Sequence, residues 1–307
     1  MRPLDTLPFF CYAPSMSSEN AKKKSGFVVL AGRSNVGKST LLNTLVGSKV
    51  AIVTPKPQTT RHPIRGILHD PRGQVVFVDT PGIFLGKHDP VSKRLNKIVE
   101  EQFDGIEVII YVVDPTRAAG PEEKNIQTIL KALDVPTILV INKSDLADEA
   151  KPALEDMRAI DIGQRATYEI SAKTHQNLNR LVDALFALLP EGEAYYPDFQ
   201  LTDLDHKTWL EEVIREKIFL ALQEELPYSV KVEITDEETR KNGERFVAAT
   251  VWTTEERYKR MIIGAKGQML KSIGMAARKE LEAAAGDQKI YLELHVDVDA
   301  NWQKRFV

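Results

Sequence analysis

Hydrophobic and polar positions alternate along this chain in two different rhythms. From Gly26 to about Leu189, short unbroken apolar runs rich in Val and Ile recur. They are FVVLA at 27–31, VVFVD at 75–79, VIIYVVD at 108–114 and PTILVIN at 136–142, with a weaker TYEISA at 167–172. A strand covered on both faces has no polar side to show, so runs without alternation predict buried parallel strands. Between them lie stretches with helical periodicity, VSKRLNKIVEEQF and NIQTILKAL among them. This succession predicts a three-layer α/β domain over residues 26–189, built on a mostly parallel sheet.

The rhythm then changes. PEGEAYYPDFQLTD, 190–203, is rich in Pro and acidic residues and has no period. It reads as a linker or hinge, taken as 190–205. Beyond it, WLEEVIREKIFLALQEEL (209–226) places Leu210, Val213, Ile214, Ile218 and Leu222 on one helical face. SVKVEIT (229–235) alternates through Val230, Val232 and Ile234, and KIYLELHV (289–296) through Ile290, Leu292, Leu294 and Val296. Alternation predicts a sheet packed on one face. Lys241-Asn242-Gly243 marks a turn between strands. Residues 206–307 therefore read as a separate α+β domain, in the order helix, strand, strand, helix, loop, helix, strand. Residues 1–25 read as a disordered tail, with FFCY an unexplained apolar spot and Met16 an alternative start.

Composition narrows the function. The chain has 307 residues, enough for two domains, and 43% hydrophobic content, that of a protein with real cores. The net charge of -3 excludes a uniformly basic nucleic-acid binder but not a local basic patch. The single cysteine, Cys11, allows no internal disulfide, which fits a reducing compartment. No apolar run approaches a membrane span, and the N-terminus lacks the apolar core of a secretory signal. No oligomerisation surface is legible, so a monomer is expected.

The strongest chemistry lies in GRSNVGKST, 32–40. Gly32-x-x-x-x-Gly37-Lys38-Ser39 follows an apolar strand and opens a helix, the context a phosphate-binding loop needs. Glycines let backbone N–H groups turn toward phosphate oxygens, and the helix adds its positive N-terminal end. Gly32, Asn35, Val36, Gly37, Lys38, Ser39 and Thr40 are the expected nucleotide contacts. Lys38 would neutralise the β- and γ-phosphates, and Ser39 would offer a hydroxyl to Mg²⁺, a hard cation that prefers oxygen.

The loop alone does not separate ATP from GTP. Asn142-Lys143-Ser144-Asp145 does, because it closes a strand where parallel sheets present ligand-binding residues. The Asp145 carboxylate can accept hydrogen bonds from guanine N1–H and the 2-amino group. Adenine offers neither, and an unpaired buried carboxylate discriminates strongly. The Lys143 stem can pack over the base. Ser171-Ala172-Lys173 can give a backbone N–H to guanine O6.

Asp79-Thr80-Pro81-Gly82 ends another strand. Asp79 would hold Mg²⁺ through water, and the Gly82 N–H would approach the γ-phosphate. In Gln58-Thr59-Thr60-Arg61, a threonine can reach Mg²⁺ only while the γ-phosphate is present, which makes a switch. Thr60 is favoured over Thr59. Lys38, Thr60, Asp79 and Gly82 are thus the expected catalytic set, with Ser39, Thr60 and Asp79 around Mg²⁺. Ile83 stands where Ras-like GTPases carry a water-orienting glutamine. Isoleucine cannot orient a water, so the side-chain oxygen of Asn35 is expected to help hold a monovalent cation, K⁺, instead.

In the second domain, Gly264-Ala265-Lys266-Gly267 lies between two helix-like segments. A GxxG loop lets the backbone lie against nucleic-acid phosphates, as in KH domains, which clamp about four nucleotides. Alone, GxxG is weak and also fits a plain helix–turn–helix. Between 255 and 280, however, seven Lys/Arg stand against three Glu. Gly264, Ala265, Lys266, Gly267 and Lys271, with Arg257, Lys259 and Arg260, are the expected RNA-binding surface.

In order, GRSNVGKS, KPQTTRH, DTPGI, NKSD and SAK, then YYPDFQLTD, then IIGAKGQMLKSIGMAARKELE and KIYLELHVDVDANW resemble the bacterial Era family of the TrmE-Era-EngA group, over about residues 26–303. The resemblance implies a P-loop GTPase domain followed by a type II KH domain. It implies a GTP-driven, Mg²⁺-dependent switch in assembly of the small (30S) ribosomal subunit, with the KH domain on the 3′ end of 16S rRNA. It also implies a cytoplasmic protein with peripheral association at the inner membrane. Pro63 and the long tail depart from the family pattern. Two other functions compete. One is a GTPase timer that docks a protein or membrane partner, to which the Glu-rich helix 209–226 could contribute. The other is a tRNA-modification or large-subunit GTPase, for which this C-terminal domain is unexpected.

Overall fold

The computed structural model describes residues 22–54, 56, 64–79, 105–223, 226–286 and 288–302. The chain divides into two compact units, Met1–Ala51 with Thr60–Asp203 and Ile52–Thr59 with Leu204–Val307. The sequence reading of residues 1–21, of QTTR, of Thr80 to Ile83, of Pro63 and of the helix VSKRLNKIVEEQF lies outside the described residues.

The first unit is built on a six-stranded sheet in the order β2-β3-β1-β4-β5-β6. The strands are β1 (Lys24–Ala31), β2 (Ile64–Asp70), β3 (Gly73–Asp79), β4 (Val108–Val113), β5 (Thr137–Ile141) and β6 (Ala166–Glu169). All neighbours pair in parallel except β2 with β3. The unbroken apolar runs are the reason: every residue of β4 and β5 is buried. Helices α1 (Lys38–Val46), α2 (Pro121–Ala132), α3 (Leu154–Arg158) and α4 (Leu178–Leu188) accompany the sheet. β1 begins at Lys24, so the strand reaches two residues into the expected tail.

β2 was not expected from its sequence. IRGILHD mixes Arg, Gly and His into an edge strand, which needs no continuous apolar run. Gly66 is required there: a Cβ would lie 2.5 Å from Leu42 Cδ1, so α1 packs directly on the bare backbone. The outer edge of β2 is covered by the stretch expected to be a linker or hinge. The Ile67 N–H donates to Leu201 O at 2.9 Å, and Gly66 bridges Thr202. Gln74 Oε1 accepts from the N–H groups of Tyr195 and Tyr196 at 2.8 and 3.0 Å. Residues 190–203 are therefore a strap along the first unit, because backbone bonds to an edge strand need no side-chain period. The second unit starts at Leu204 rather than 206.

That unit has a three-stranded sheet, β7 (Lys231–Thr239), β8 (Arg245–Thr253) and β9 (Ile290–Val298), with β8 central, antiparallel to β7 and parallel to β9. Helices α5 (His206–Ala221), α6 (Glu256–Ile263) and α7 (Gln268–Ala284) complete it. Leu210, Val213, Ile214 and Ile218 of α5 share one core with Val232, Val247, Val251, Ile273, Ala277 and Leu281. Asp205 caps α5 by accepting from Thr208 N at 3.0 Å. α5 stops at Ala221, short of the expected 226, and Leu226–Ser229 form a separate turn around Pro227. Ile52–Thr59, expected in the GTPase domain, belongs to this unit. Val53 N donates to the buried Glu216 carboxylate, and Lys56 Nζ donates to the carbonyls of Phe219 and Leu222 that end α5.

Candidate nucleotide-binding site

Sheet register brings the motifs together at one edge of the first unit. Leu30 pairs with Asp79 on one side and Ile110 on the other, and Val113 pairs with Ile141. Asp79, the loop after β1, Asp114 and Asn142 therefore all stand at the C-terminal ends of adjacent strands, where open parallel sheets bind ligands.

The loop between β1 and α1 turns on glycine. Gly32 has φ +147°, and a Cβ there would lie 2.4 Å from Val112 O. Gly37, with φ +100°, is the residue before α1, and Asn35 at the exposed loop tip is also left-handed, φ +63°. Lys38 is buried under this loop, and its Nζ donates to the carbonyls of Gly32 and Arg33 at 2.8 and 2.9 Å. Burial pushes its ammonium below the usual lysine range, opposed by the charges of Asp79 and Glu122 and reinforced by Arg117. Such an ammonium gains most from an incoming anion. Ser39 Oγ donates to Asp79 Oδ2 at 2.6 Å. A hydroxyl and a carboxylate within reach of one ion are hard oxygen ligands, and they fit Mg²⁺.

Asn142 is a strut between loops. It is buried; its Nδ2 donates to Val36 O at 2.9 Å and its Oδ1 accepts from Ala172 N at 3.0 Å. One side chain thus ties the phosphate loop to the Ser171-Ala172-Lys173 turn. Thr44 of α1 adds a bond to Ala172 O at 2.8 Å. Ser171 Oγ donates to Asp145 Oδ1 at 2.6 Å, which fixes one carboxylate oxygen. Lys173 is exposed, and Lys143 sits in the left-handed region, φ +65°.

Several residues around the site escaped sequence reasoning. Arg33 pairs with the buried Glu123 at 2.8 Å, and Glu123 also accepts from Gly120 N at 2.8 Å, at the start of α2. Asp114 accepts from Lys143 Nζ at 2.5 Å. Burial alone would raise the Asp114 carboxyl, but the bonds from Lys143 and Thr116 outweigh it and hold it below the usual range. Arg117 Nη2 donates to Ser34 O at 2.5 Å. The available signal was position: Asp114 closes an apolar run at the same sheet edge as Asp79 and Asn142.

In the second unit, three of the four residues of Gly264-Ala265-Lys266-Gly267 have positive φ, at 72°, 51° and 74° for Gly264, Lys266 and Gly267. This turn joins α6 to α7 and leaves Ala265 and Lys266 exposed. The expected basic strip is partly compensated. Arg257 pairs with Glu255 at 2.7 Å, Lys259 with Asp297 at 3.1 Å, and Arg278 with Glu282 at 3.9 Å. Arg260, Lys266, Lys271 and Lys279 are exposed and make no ion pair among the described residues.

Residues 27–143 match a family model described as 50S ribosome-binding GTPase, and residues 225–303 match a KH domain model. The chain is 40% identical to GTPase Era of Halothermothrix orenii, with 92% of this chain and 95% of that protein covered. It is 41% identical to GTPase Era of Caldanaerobacter subterraneus subsp. tengcongensis, over 91% and 94%. Among solved structures it resembles Era in complex with MgGDPNP and nucleotides 1506–1542 of 16S ribosomal RNA. The TM-score is 0.83 and the identity 36%, with 92% of this chain and 96% of that chain covered. A single-residue variant of Aquifex aeolicus Era bound to GDP·AlF4⁻ gives the same figures.

Proposed function

The chain belongs to the Era family of GTPases, and on that basis we propose that it is a GTP-driven switch that binds the 3′ end of 16S rRNA through its KH domain and acts in assembly of the small ribosomal subunit. One observation carries the reading. A guanine-type nucleotide site and a GxxG loop, with cations that make no ion pair among the described residues, occur on one chain that matches, over 92% of its length, a relative holding a GTP analogue and that rRNA segment together. The 50S description applies to residues 27–143 alone; the 16S rRNA bound by the solved Era that covers 92% of this chain favours the small subunit.

The residues divide the work. Gly32 to Thr40 wrap the phosphates, and Lys38 places its ammonium on the β- and γ-oxygens. Ser39 and Thr60, with Asp79 through a water, would hold Mg²⁺, which when bound neutralises charge developing on the transferred phosphoryl group. The Gly82 N–H would meet the γ-phosphate. Asp145 reads guanine N1–H and the 2-amino group, and the Ser171-Ala172-Lys173 turn offers a backbone N–H to O6. The exposed, left-handed Asn35 would offer an oxygen to K⁺, whose charge would take the place of an arginine finger. Equal hydrolysis rates in Na⁺ and K⁺ would remove that last role.

The GAKG loop, Arg260 and Lys271 carry the RNA phosphates, with Arg257 and Lys259 contributing less because they are already paired. Among the described residues, no helix is long and apolar enough to cross a membrane. The family membership supports a cytoplasmic protein with peripheral contact at the inner membrane, and a monomer is the expected state.

The test is GTP hydrolysis by the full chain in K⁺, with and without a short single-stranded RNA from the 3′ end of 16S rRNA. The expected result is a rate that changes with RNA, and an effect lost in Lys266→Glu. No RNA binding and no change in rate would move the second unit toward a protein or membrane partner.

A further inference from the structure

The guanine reading assigns Lys143 to the base but leaves open what holds a partly exposed lysine there. A lysine side chain carries about 2 kcal/mol of rotamer entropy, so a free Lys143 would spend little time over a base. Asp114, directly after β4, supplies the missing constraint. Its carboxylate is 2% exposed. Oδ1 accepts from Thr116 N at 2.9 Å and Thr116 Oγ1 at 2.7 Å. Those two bonds close a local turn, and a purely local role for Asp114 would end there. They also stop the carboxylate rotating, so Oδ2 is aimed at Lys143 Nζ, 2.5 Å away. Arg117 Nε lies 3.7 Å from the same Oδ2, while its Nη2 bonds Ser34 O in the phosphate loop.

The geometry points to Asp114 as a positioning residue for guanine nucleotides: its locked carboxylate fixes the Lys143 ammonium, and with it the lysine stem over the base, and Arg117 ties that carboxylate to the phosphate loop. The proposal rests on the reading of Lys143 as a base contact. It separates two tasks. Asp145 reads N1–H and the 2-amino group, whereas Asp114 and Lys143 act on the base without regard to the 2-amino group. Inosine keeps N1–H and lacks the 2-amino group, so loss at Asp114 or Lys143 moves GDP and IDP together, while loss of the Asp145 contact to the 2-amino group changes their ratio.

The experiment is calorimetric titration of the full chain with GDP, IDP and ADP, for the unaltered protein, Asp114→Asn, Lys143→Met and the double variant. Asp114→Asn keeps the volume and the bonds from Thr116. It is expected to weaken GDP and IDP alike by about tenfold, the scale of one charge-assisted bond at a partly exposed lysine. In the Lys143→Met background, Asp114→Asn is expected to add no more than about twofold, because the two act as one unit. Thr116→Val, a less buried change that removes one of the two bonds holding the same carboxylate, is expected to lose about threefold in the same direction. It carries the test if Asp114→Asn fails to fold.

GDP affinity unchanged in Asp114→Asn would overturn the proposal. So would losses that multiply in the double variant, since Asp114 would then act elsewhere. A collapse of the GDP/IDP ratio would also overturn it, because the damage would lie at Asp145. If the unaltered chain failed to prefer GDP over ADP, the guanine reading itself would fall. That control is independent of every variant.

Discussion

Asn142→Ala tests whether the three loops of the nucleotide site are one closed unit. The side chain makes two buried bonds, to Val36 O at 2.9 Å and from Ala172 N at 3.0 Å. Val36 is 1% exposed and Ala172 2%, so water does not replace what is lost. The Ala172 N–H would be an orphaned buried donor, costing about 1–3 kcal/mol, while the Val36 carbonyl, with a second lone pair, costs nearer 1 kcal/mol. The closed arrangement is therefore weakened by about 2–4 kcal/mol. A nucleotide that binds only the closed arrangement then loses affinity in proportion to the lost population, by at most about thirty- to eight-hundredfold.

Tryptophan emission would not see this change, because Trp209, Trp252 and Trp302 all lie in the second unit. The assays are GDP titration and hydrogen exchange at the Ala172 amide, which is expected to speed up by at least about tenfold. Gly37→Ala reaches the same strut from outside. Its Cβ would stand 2.3 Å from Asn142 Nδ2 at φ +100°, so it must displace that amide. If Asn142→Ala bound GDP within about twofold of the parent, with Ala172 exchange unchanged, the bonds would not couple the loops and the reasoning would fail.

Other outcomes follow from the same geometry. Asp145→Asn is expected to move preference from guanine toward xanthine nucleotides, whose 2-oxo group wants a donor; competition between GDP and XDP reads it, and unchanged selectivity would take Asp145 out of the site. Gly264→Ala places a Cβ 2.6 Å from Met269 Cβ, whereas Gly267→Ala meets nothing within 4 Å, although both have positive φ. Thermal unfolding followed by tryptophan emission should show the first costing clearly more than the second, for which only strain of about 1 kcal/mol remains. Lys38 without nucleotide has a depressed pKa, and phosphate oxygens raise it. Binding should therefore take up protons at pH values between the depressed and the raised pKa, and GTP affinity should fall as pH rises through that window. Calorimetry in buffers of different ionisation enthalpy measures the uptake, and proton release instead would refute the assignment. Lys266→Glu should cut affinity for single-stranded RNA and flatten its salt dependence by about two charges' worth, since one is removed and one of opposite sign added.

What could be read along the chain and what could not divide on a physical line. Unbroken apolar runs are a local property of a strand buried on both faces, so β1, β3, β4 and β5 were legible, and their register then aligned the motifs at one edge. β2 and the strap at 190–203 are held by backbone bonds, by the Gln74 amide and by a glycine that admits Leu42, none of which leaves a period. Ile52–Thr59 reads as part of the first domain because it lies inside it in sequence, yet its bonds go to Glu216, Phe219 and Leu222 of α5.

The site shows the same division. Residue types that meet a ligand recur at fixed spacing, so Lys38, Ser39, Asp79 and Asp145 could be named from pattern. The residues that hold those groups in place have no fixed spacing. Asn142 reaches Val36 across 106 positions, Ser171 reaches Asp145 across 26, and Lys143 reaches Asp114 across 29. Each of these bonds joins the ends of two different strands, so it exists only once the sheet has formed. Nucleotide affinity and the folding of this sheet edge are therefore linked: a ligand that needs all the struts closed must stabilise the first unit by the free energy of its own binding.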